Sequence, residues 1–238
     1  MLTLTGVVAG YRGVNVLRDV DLVVPTGSAV ALLGANGAGK TSLLKVVAGV
    51  GPTFRGGTIT LDGHRFDGAP AHTRARLGLC LVPEGRGIFR RLSVRENLEL
   101  FAGRRQVVRA VDRFVDAFPM LGPFLDHRAG ALSGGQQQMV ALGRALVTDA
   151  ALVLADELSV GLAPVVVDEI FSVIRRVRAQ GRSLLIVEQY VDRILDVVDY
   201  VYILHKGRIV FVGEPEQCRG SDVFDRYLGT HATERISS

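Results

Sequence analysis

Hydrophobic positions along the chain switch between two spacings. From Leu2 to Tyr11 and again from Asp19 to Val24 they recur as in strands, with a turn at Arg12 and Gly13 between them and another over Pro25–Gly27. Ser28–Leu33 is apolar enough for a buried strand, and Leu43, Leu44, Val46 and Val47 then share one side of a helix. Gly57–Leu61 and Leu79–Val82 read as further strands. Ser93 with Glu96 makes a capping-box pattern ahead of Leu98 and Phe101. It opens a helical region whose later helices cover about Gln106–Phe118 and Gly134–Val147, broken over Pro119–Pro123. After Asp149 strand and helix alternate: Ala151–Ala155, a helix opened by Pro164, Ser183–Val187, then Val191–Val198. The Pro164 helix carries Val166, Ile170, Val173, Ile174 and Val177 as one stripe. Tyr200–Leu204 and Arg208–Val212 flank His205, Lys206 and Gly207 as a hairpin. The alternation predicts an α/β fold whose mostly parallel sheet is covered on both faces.

A chain of 238 residues, 48% hydrophobic, is long enough for one sizeable α/β domain or two small ones, and a single domain is expected. No internal repeat or low-complexity linker divides it. No apolar stretch approaches the roughly 18–20 residues that span a bilayer, and Met1 leads into Leu2–Val8 without a charged region and cleavage site, so the expectation is a cytosolic protein. Cys80 and Cys218 lack metal-ligand spacing and a catalytic partner and are expected to stay reduced. The net charge of +4 rests on arginine, since only Lys40, Lys45 and Lys206 are lysines. Arginines crowd the stretch from Arg74 to Arg113, which reads as a solvated basic face or a docking surface for acidic lipid or an acidic partner. No aromatic-interleaved basic motif accompanies them, so nucleic acid is not the expected partner.

Chemistry enters at Gly34–Thr41, GANGAGKT, which has the phosphate-loop spacing and the strand-before, helix-after context that this motif needs. Gly34, Gly37 and Gly39 let the backbone turn tightly and aim N–H groups inward, and Asn36, Ala38 and Ser42 complete the cradle. The helix start adds a positive dipole end, Lys40 a mobile charge for the β- and γ-phosphates, and Thr41 a hydroxyl for Mg²⁺. The run Leu152–Ala155 ends in Asp156 and Glu157, two carboxylates delivered by a strand to the crevice where ligands of open α/β sheets bind. Asp156 is placed to hold Mg²⁺, and Glu157 to orient or deprotonate an attacking water. A second glycine-rich cradle, LSGGQ over Leu132–Gln136, has Ser133 to cap the following helix and Gly134 and Gly135 to leave its N-terminus open to an anion.

In order and wording, the phosphate loop, Leu132–Gln136 and Asp156–Glu157 resemble an ABC transporter ATP-binding subunit nearly end to end. The resemblance implies a single ABC-type ATPase domain over residues 1–238. It would comprise a RecA-like phosphate-loop core, an N-terminal antiparallel β subdomain, a helical signature-bearing subdomain at about 86–148 and a flexible tail at about 230–238. It implies ATP and Mg²⁺ as ligands. It also implies that Ser133, Gly134, Gly135 and Gln136 serve ATP bound to a second ATPase subunit, identical or paralogous. Tyr11 matches the position whose ring stacks on adenine. Ser159–Leu162 matches the loop that crosses the dimer interface. The segment around Phe89–Phe101 matches the groove that docks transmembrane permease subunits, which place the protein on the cytoplasmic face of the membrane and in indirect contact with an extracytoplasmic solute-binding protein.

More narrowly, Val82–Arg86 (VPEGR) and Val187–Gln189 (VEQ) are similar to the ATP-binding subunits of branched-chain amino-acid importers. Glu84 stands where the wider family has a Mg²⁺-sensing glutamine, Gln189 where it has a switch histidine, and Leu158 where a proline commonly follows the acids. A carboxylate still binds Mg²⁺, and an amide still donates a hydrogen bond to a γ-phosphate. The rivals are an ABC exporter ATPase, an ABC-type ATPase acting on nucleic acid or the ribosome, and a small-molecule kinase or GTPase. The nucleic-acid type usually carries zinc-binding cysteines, long coiled coils or a second cassette, and a GTPase carries an Asn-Lys-x-Asp motif, none of which is here. Gln189 does not titrate near neutrality, so Gln189→His should add an acid limb to the hydrolysis profile between roughly pH 5.5 and 7.5. Superimposable pH profiles for variant and parent would contradict this.

Overall fold

The computed structural model describes residues 1–85, 87–102, 107–148 and 150–219. Arg86, Arg104, Arg105, the helix start expected at Gln106 and the tail expected over Thr230–Ser238 lie outside the described residues. In the first sheet, β1 (Leu2–Tyr11) runs antiparallel between β2 (Val14–Val24) and β4 (Thr53–Leu61), with the short β5 (His64–Arg65) on the far edge of β4. The second sheet contains β3 (Ala29–Leu33), β6 (Leu79–Val82), β7 (Leu152–Asp156), β8 (Ser183–Val187), β9 (Tyr200–His205) and β10 (Arg208–Gly213). Its order is β10-β9-β3-β8-β7-β6, and every pair is parallel except the β9–β10 hairpin. This is the α/β architecture that the alternation predicts, with the antiparallel β sheet at its N-terminal end.

Period-two alternation explains why the parallel sheet is covered twice. In β3 every residue is buried, but Ala29, Ala31 and Leu33 join one core while Val30 and Leu32 join another. The first core takes in α3 (Val94–Ala102), α4 (Val107–Ala117), α5 (Gly134–Val147) and α6 (Pro164–Ala179). The second is closed by α1 (Lys40–Ala48) and the antiparallel sheet. Pro164 stands at the first turn of α6, and Ile170, Val173, Ile174 and Val177 of its predicted stripe are buried. The predicted capping box opens α3: the Ser93 N–H donates to Glu96 Oε2 at 2.6 Å and the Glu96 N–H to Ser93 Oγ at 3.1 Å.

Three departures from the periodicity have local causes. Strand β2 begins at Val14, ahead of the predicted Asp19, because it pairs with β1 through register shifts and carries Asp19 at φ +59°. The helix expected through Val198 closes sooner, as α7 (Val191–Leu195), because the Val197 N–H turns back three residues to the Ile194 carbonyl at 3.0 Å. Helix α2 (Ala71–Arg76), absent from the predicted elements, is anchored by a side chain from a stretch that otherwise reads as a basic face. Arg74 is 3% exposed and donates to Val46 O at 2.7 Å, Val47 O at 2.8 Å and Ala69 O at 2.8 Å, with its guanidinium over the Phe66 ring. Two of those carbonyls belong to the last turn of α1: Arg74 supplies a donor to Val47 O and shares Val46 O with the Gly49 N–H, which reaches it at 3.1 Å. Arg74→Ala should therefore cost about 2–3 kcal/mol in denaturant unfolding. An unchanged midpoint would show that water replaces the guanidinium without loss.

Candidate functional site

The sequence-predicted residues that follow β3, β6, β7 and β8 all leave from one end of the parallel sheet. The carboxyl ends of β3, β8, β7 and β6 are neighbours in that order, and from them leave Gly34–Thr41, Glu188–Gln189, Asp156–Glu157 and Glu84. Asn36, Gly37, Gly39, Lys40, Thr41, Ser42 and Glu157 line a cleft of about 270 Å³ there. Val16 of β2 completes the lining. No periodicity marks Val16, because the irregular half of β2 hides it.

The glycines of the loop answer different constraints. A Cβ on Gly34 would sit 2.2 Å from the Leu204 carbonyl oxygen, so the start of the loop is pressed against β9. A Cβ on Gly37 would meet nothing within 4 Å, but its φ of +80° lies in the left-handed region. Ala38 sits between Gly37 and Gly39 and is buried; its N–H donates to Ala35 O at 3.1 Å and its carbonyl accepts from the Gly207 N–H at 2.9 Å. Helix α1 then starts at Lys40 with no side-chain cap, which leaves its first N–H groups directed at the cleft.

Lys40 in the cleft and Asp156 behind Thr41 are a buried ammonium and a buried carboxyl. Lys40 is 6% exposed, and its ammonium donates to Gly34 O at 2.8 Å and to Ala35 O at 3.3 Å. Burial lowers its pKa, and the charges of Glu157 and Asp156 oppose that shift. Asp156 is 1% exposed; burial raises its pKa, while the Thr41 hydroxyl, donating to Asp156 Oδ1 at 3.0 Å, holds it down. Glu157 and Glu84 push it further up through their charges, which places Glu84 within electrostatic reach of Asp156. A hydroxyl and a desolvated carboxylate side by side are hard oxygen donors of the kind Mg²⁺ takes. Among the described residues no group of three or more His, Cys, Asp and Glu gathers round a point. A cation here would be held by one or two protein oxygens, with the remaining positions left to water and phosphate.

Glu157 leaves β7 at φ +46°, with its N–H still donating to Val187 O at 2.9 Å. Its Oε2 accepts from Gln189 Nε2 at 2.9 Å, so the residue expected to act on the attacking water and the one expected to donate to the γ-phosphate are hydrogen-bonded to each other. Leu158 is buried in the core with α5 and α6.

Two sets of predicted residues lie away from this cleft. Tyr11 is exposed at the end of β1, with its hydroxyl beside Gly51, beyond α1, and does not line the cleft. Ser133, Gly134, Gly135 and Gln136 open α5. Ser133 Oγ accepts from the Gln136 N–H at 3.3 Å, and Gln136 Oε1 from the Ser133 N–H at 2.9 Å. The Gln136 carbonyl is thus committed to a capping box, while Ser133 is exposed. A Cβ on Gly135 would lie 3.0 Å from Val166 of α6, so this glycine is also a packing requirement.

Comparison with known proteins gives the site its context. The family model described as "ABC transporter" matches residues 17–160. The chain is 40% identical over 213 residues, covering 88% of it and 91% of the relative, to the high-affinity branched-chain amino acid transport ATP-binding protein BraG of Pseudomonas aeruginosa. It is 34% identical over 235 residues, covering 96% of it and 97% of the relative, to the lipopolysaccharide export system ATP-binding protein LptB of Haemophilus influenzae. A solved ATP-binding subunit of an ABC transporter superposes with a TM-score of 0.83 at 27% identity, over 98% of this chain and all of the other.

Proposed function

The chain belongs to the ABC transporter family as an ATP-binding, ATP-hydrolysing subunit, and we propose that it powers an importer of branched-chain amino acids or a related small polar solute. The observation that carries the solute is its 40% identity to BraG along most of both chains. Export is the second reading, favoured by the 34% identity to LptB. One ATPase domain spans the chain in either case. A transport assay with the co-purifying membrane and binding proteins separates the two: ATP-driven uptake of leucine, isoleucine or valine supports import, and ATPase activity indifferent to them contradicts this solute class.

Under this reading Lys40 exchanges its loop carbonyls for β- and γ-phosphate oxygens, and the N–H groups from Asn36 to Ser42 hold the rest of the triphosphate. Thr41 and Asp156, with Glu84 within electrostatic reach, would hold Mg²⁺, which when bound would neutralise charge on the phosphates. Glu157 aligns the attacking water and accepts its proton as the bond between γ-phosphorus and the ADP oxygen breaks. The Gln189 amide, already within reach of Glu157, donates to the γ-phosphate. Tyr11 supplies a ring for adenine once the base is bound.

The cleft contains no residue of the Leu132–Gln136 segment, which supports a site completed by Ser133, Gly134, Gly135 and Gln136 of a second ATPase subunit. Two such subunits, identical or paralogous, close on ATP and reopen after hydrolysis, and the movement passes to transmembrane permease subunits at the cytoplasmic face of the membrane. Phe89, exposed and with its ring 6.4 Å from that of Phe101, supports a docking surface on the helical side. The described residues include no helix long and apolar enough to cross a membrane.

Glu157→Gln should leave ATP binding intact while lowering turnover at least about a hundredfold. Near-parental turnover would remove Glu157 from its role. Lys40→Ala should instead weaken ATP binding by about tenfold or more, read by nucleotide titration. Unchanged affinity would remove the phosphate contact.

A further inference from the structure

Next to the cleft lies a buried acid to which neither the phosphate chemistry nor the dimer assigns a task. Glu188 follows β8, is 2% exposed, and sits one residue before Gln189. Its two oxygens collect donors from the neighbouring strand end. Oε1 accepts from the Ser159 N–H at 3.2 Å, and Oε2 accepts from the Ser159 hydroxyl and from the Gln189 N–H at 3.2 Å. Ser159 is fully buried and lies two residues beyond Glu157. Desolvation raises the Glu188 carboxyl to about 7, and what opposes the rise is hydrogen bonding, from Ser159 first. Keeping a carboxylate in such a place is costly, and an apolar residue would spare that cost.

We propose that Glu188 is a positioning residue for ATP hydrolysis: its carboxylate clamps the loop after Glu157 to the backbone of Gln189 and so fixes the Glu157–Gln189 pair in register. The proposal rests on the catalytic reading given above. Strands β7 and β8 pair in parallel up to Asp156 and Val187, and the Glu157 N–H extends that ladder by one bond to Val187 O. Beyond it the two chains turn apart, Glu157 doing so with φ +46°, a conformation that a side chain with a Cβ disfavours. The backbone ladder no longer ties them there. The Glu188 side chain takes over, bonding to Ser159 on one chain and to its own neighbour Gln189 on the other. Only then does the 2.9 Å bond between Gln189 Nε2 and Glu157 Oε2 join their tips.

The acceptor count explains why an acid is used. The backbone N–H groups of Ser159 and Gln189 reach the carboxylate, one at each oxygen, with that of Leu158 adding to them, and each oxygen can accept. An isosteric amide has a single oxygen, so whichever way it is turned its NH₂ faces one of those N–H groups. Protonation of the acid is milder, because the new O–H can donate to Ser159 Oγ once the hydroxyl rotates, and both backbone donors keep an acceptor. Glutamate therefore serves in either protonation state, whereas glutamine, with one oxygen, cannot meet both donors.

The test is a double-mutant cycle on the full chain with Mg-ATP, using Glu188→Gln, Ser159→Ala and their combination, with kcat, KM and ATP affinity measured for each. Displaced catalytic groups should lower kcat by about tenfold or more in each single variant, with ATP affinity held within about twofold, since no phosphate contact is touched. The double variant should be no slower than the worse single one, because both act through one contact. Parental kcat in both single variants, losses that multiply in the double, or ATP affinity that falls in step with kcat would each overturn the proposal. Ser159→Ala removes only a hydroxyl, so it keeps the test open should Glu188→Gln fold poorly. Glu157→Gln run alongside separates the two levels. If that variant hydrolyses normally the catalytic reading fails; if it is inactive while the Glu188 and Ser159 variants are parental, only the clamp fails.

Discussion

Parallel pairing of β7 with β8, and of β8 with β3, is the constraint from which the rest of the site follows. Residues remote in sequence reach one cleft only because those three strands end at the same edge. The pairing is insensitive to the chemistry it supports, since it rests on backbone hydrogen bonds and on fully buried apolar side chains. It leaves the polar groups at the edge free to be desolvated and charged. Lys40 and Asp156 show the consequence: each is almost wholly buried, each is shifted toward its neutral form by burial, and each is held by short bonds to the loop or to Thr41. A site that withholds water from an ammonium and a carboxylate is predisposed toward a ligand that brings both phosphate oxygens and a cation.

The parts of this molecule that were legible in the sequence are those whose information is local. The phosphate loop, the Ser133 cap and the Asp156–Glu157 pair each occupy a few consecutive residues, and their spacing alone states their geometry. The Pro164 helix and the β9–β10 hairpin were equally plain, because one repeats its apolar positions with helical period and the other is hinged on Lys206 and Gly207. What the chain concealed is tertiary. Helix α2 has too few residues for periodicity and is held by Arg74, whose three carbonyl partners come from two separate segments. An arginine-rich stretch gives no sign that one member is buried while Arg95, in the same stretch, pairs with Asp126 at the surface. The alternation shows strand β2 only from Asp19, because register shifts against β1 disrupt it before that point, and Val16, which lines the cleft, falls in the disrupted half.

The same distinction applies to individual glycines. All three in the loop look alike as phosphate-approach residues, but Gly34 is required by a carbonyl of β9 and Gly37 by its own backbone angle. Gly135, which reads as an opening for an anion, is also a contact with Val166 of α6. Glu188 is the extreme case. It stands in the sequence as one more residue of the Val-Glu-Gln run, and only the parallel register reveals that it faces Ser159. Residues that act through a neighbour leave no pattern of their own.

The central claim is that ATP is held between Lys40 of one subunit and Ser133 of another. The most direct measurement is the molar mass, by light scattering, of the Glu157→Gln chain with Mg-ATP, compared with the same chain carrying Ser133→Arg, alone and together with its co-purifying membrane and ATPase subunits. The account predicts an ATP-dependent ATPase pair in the first and its loss in the second, which should still bind ATP. A chain that stays monomeric with Mg-ATP in every setting, or a pair indifferent to an arginine at position 133, would contradict it.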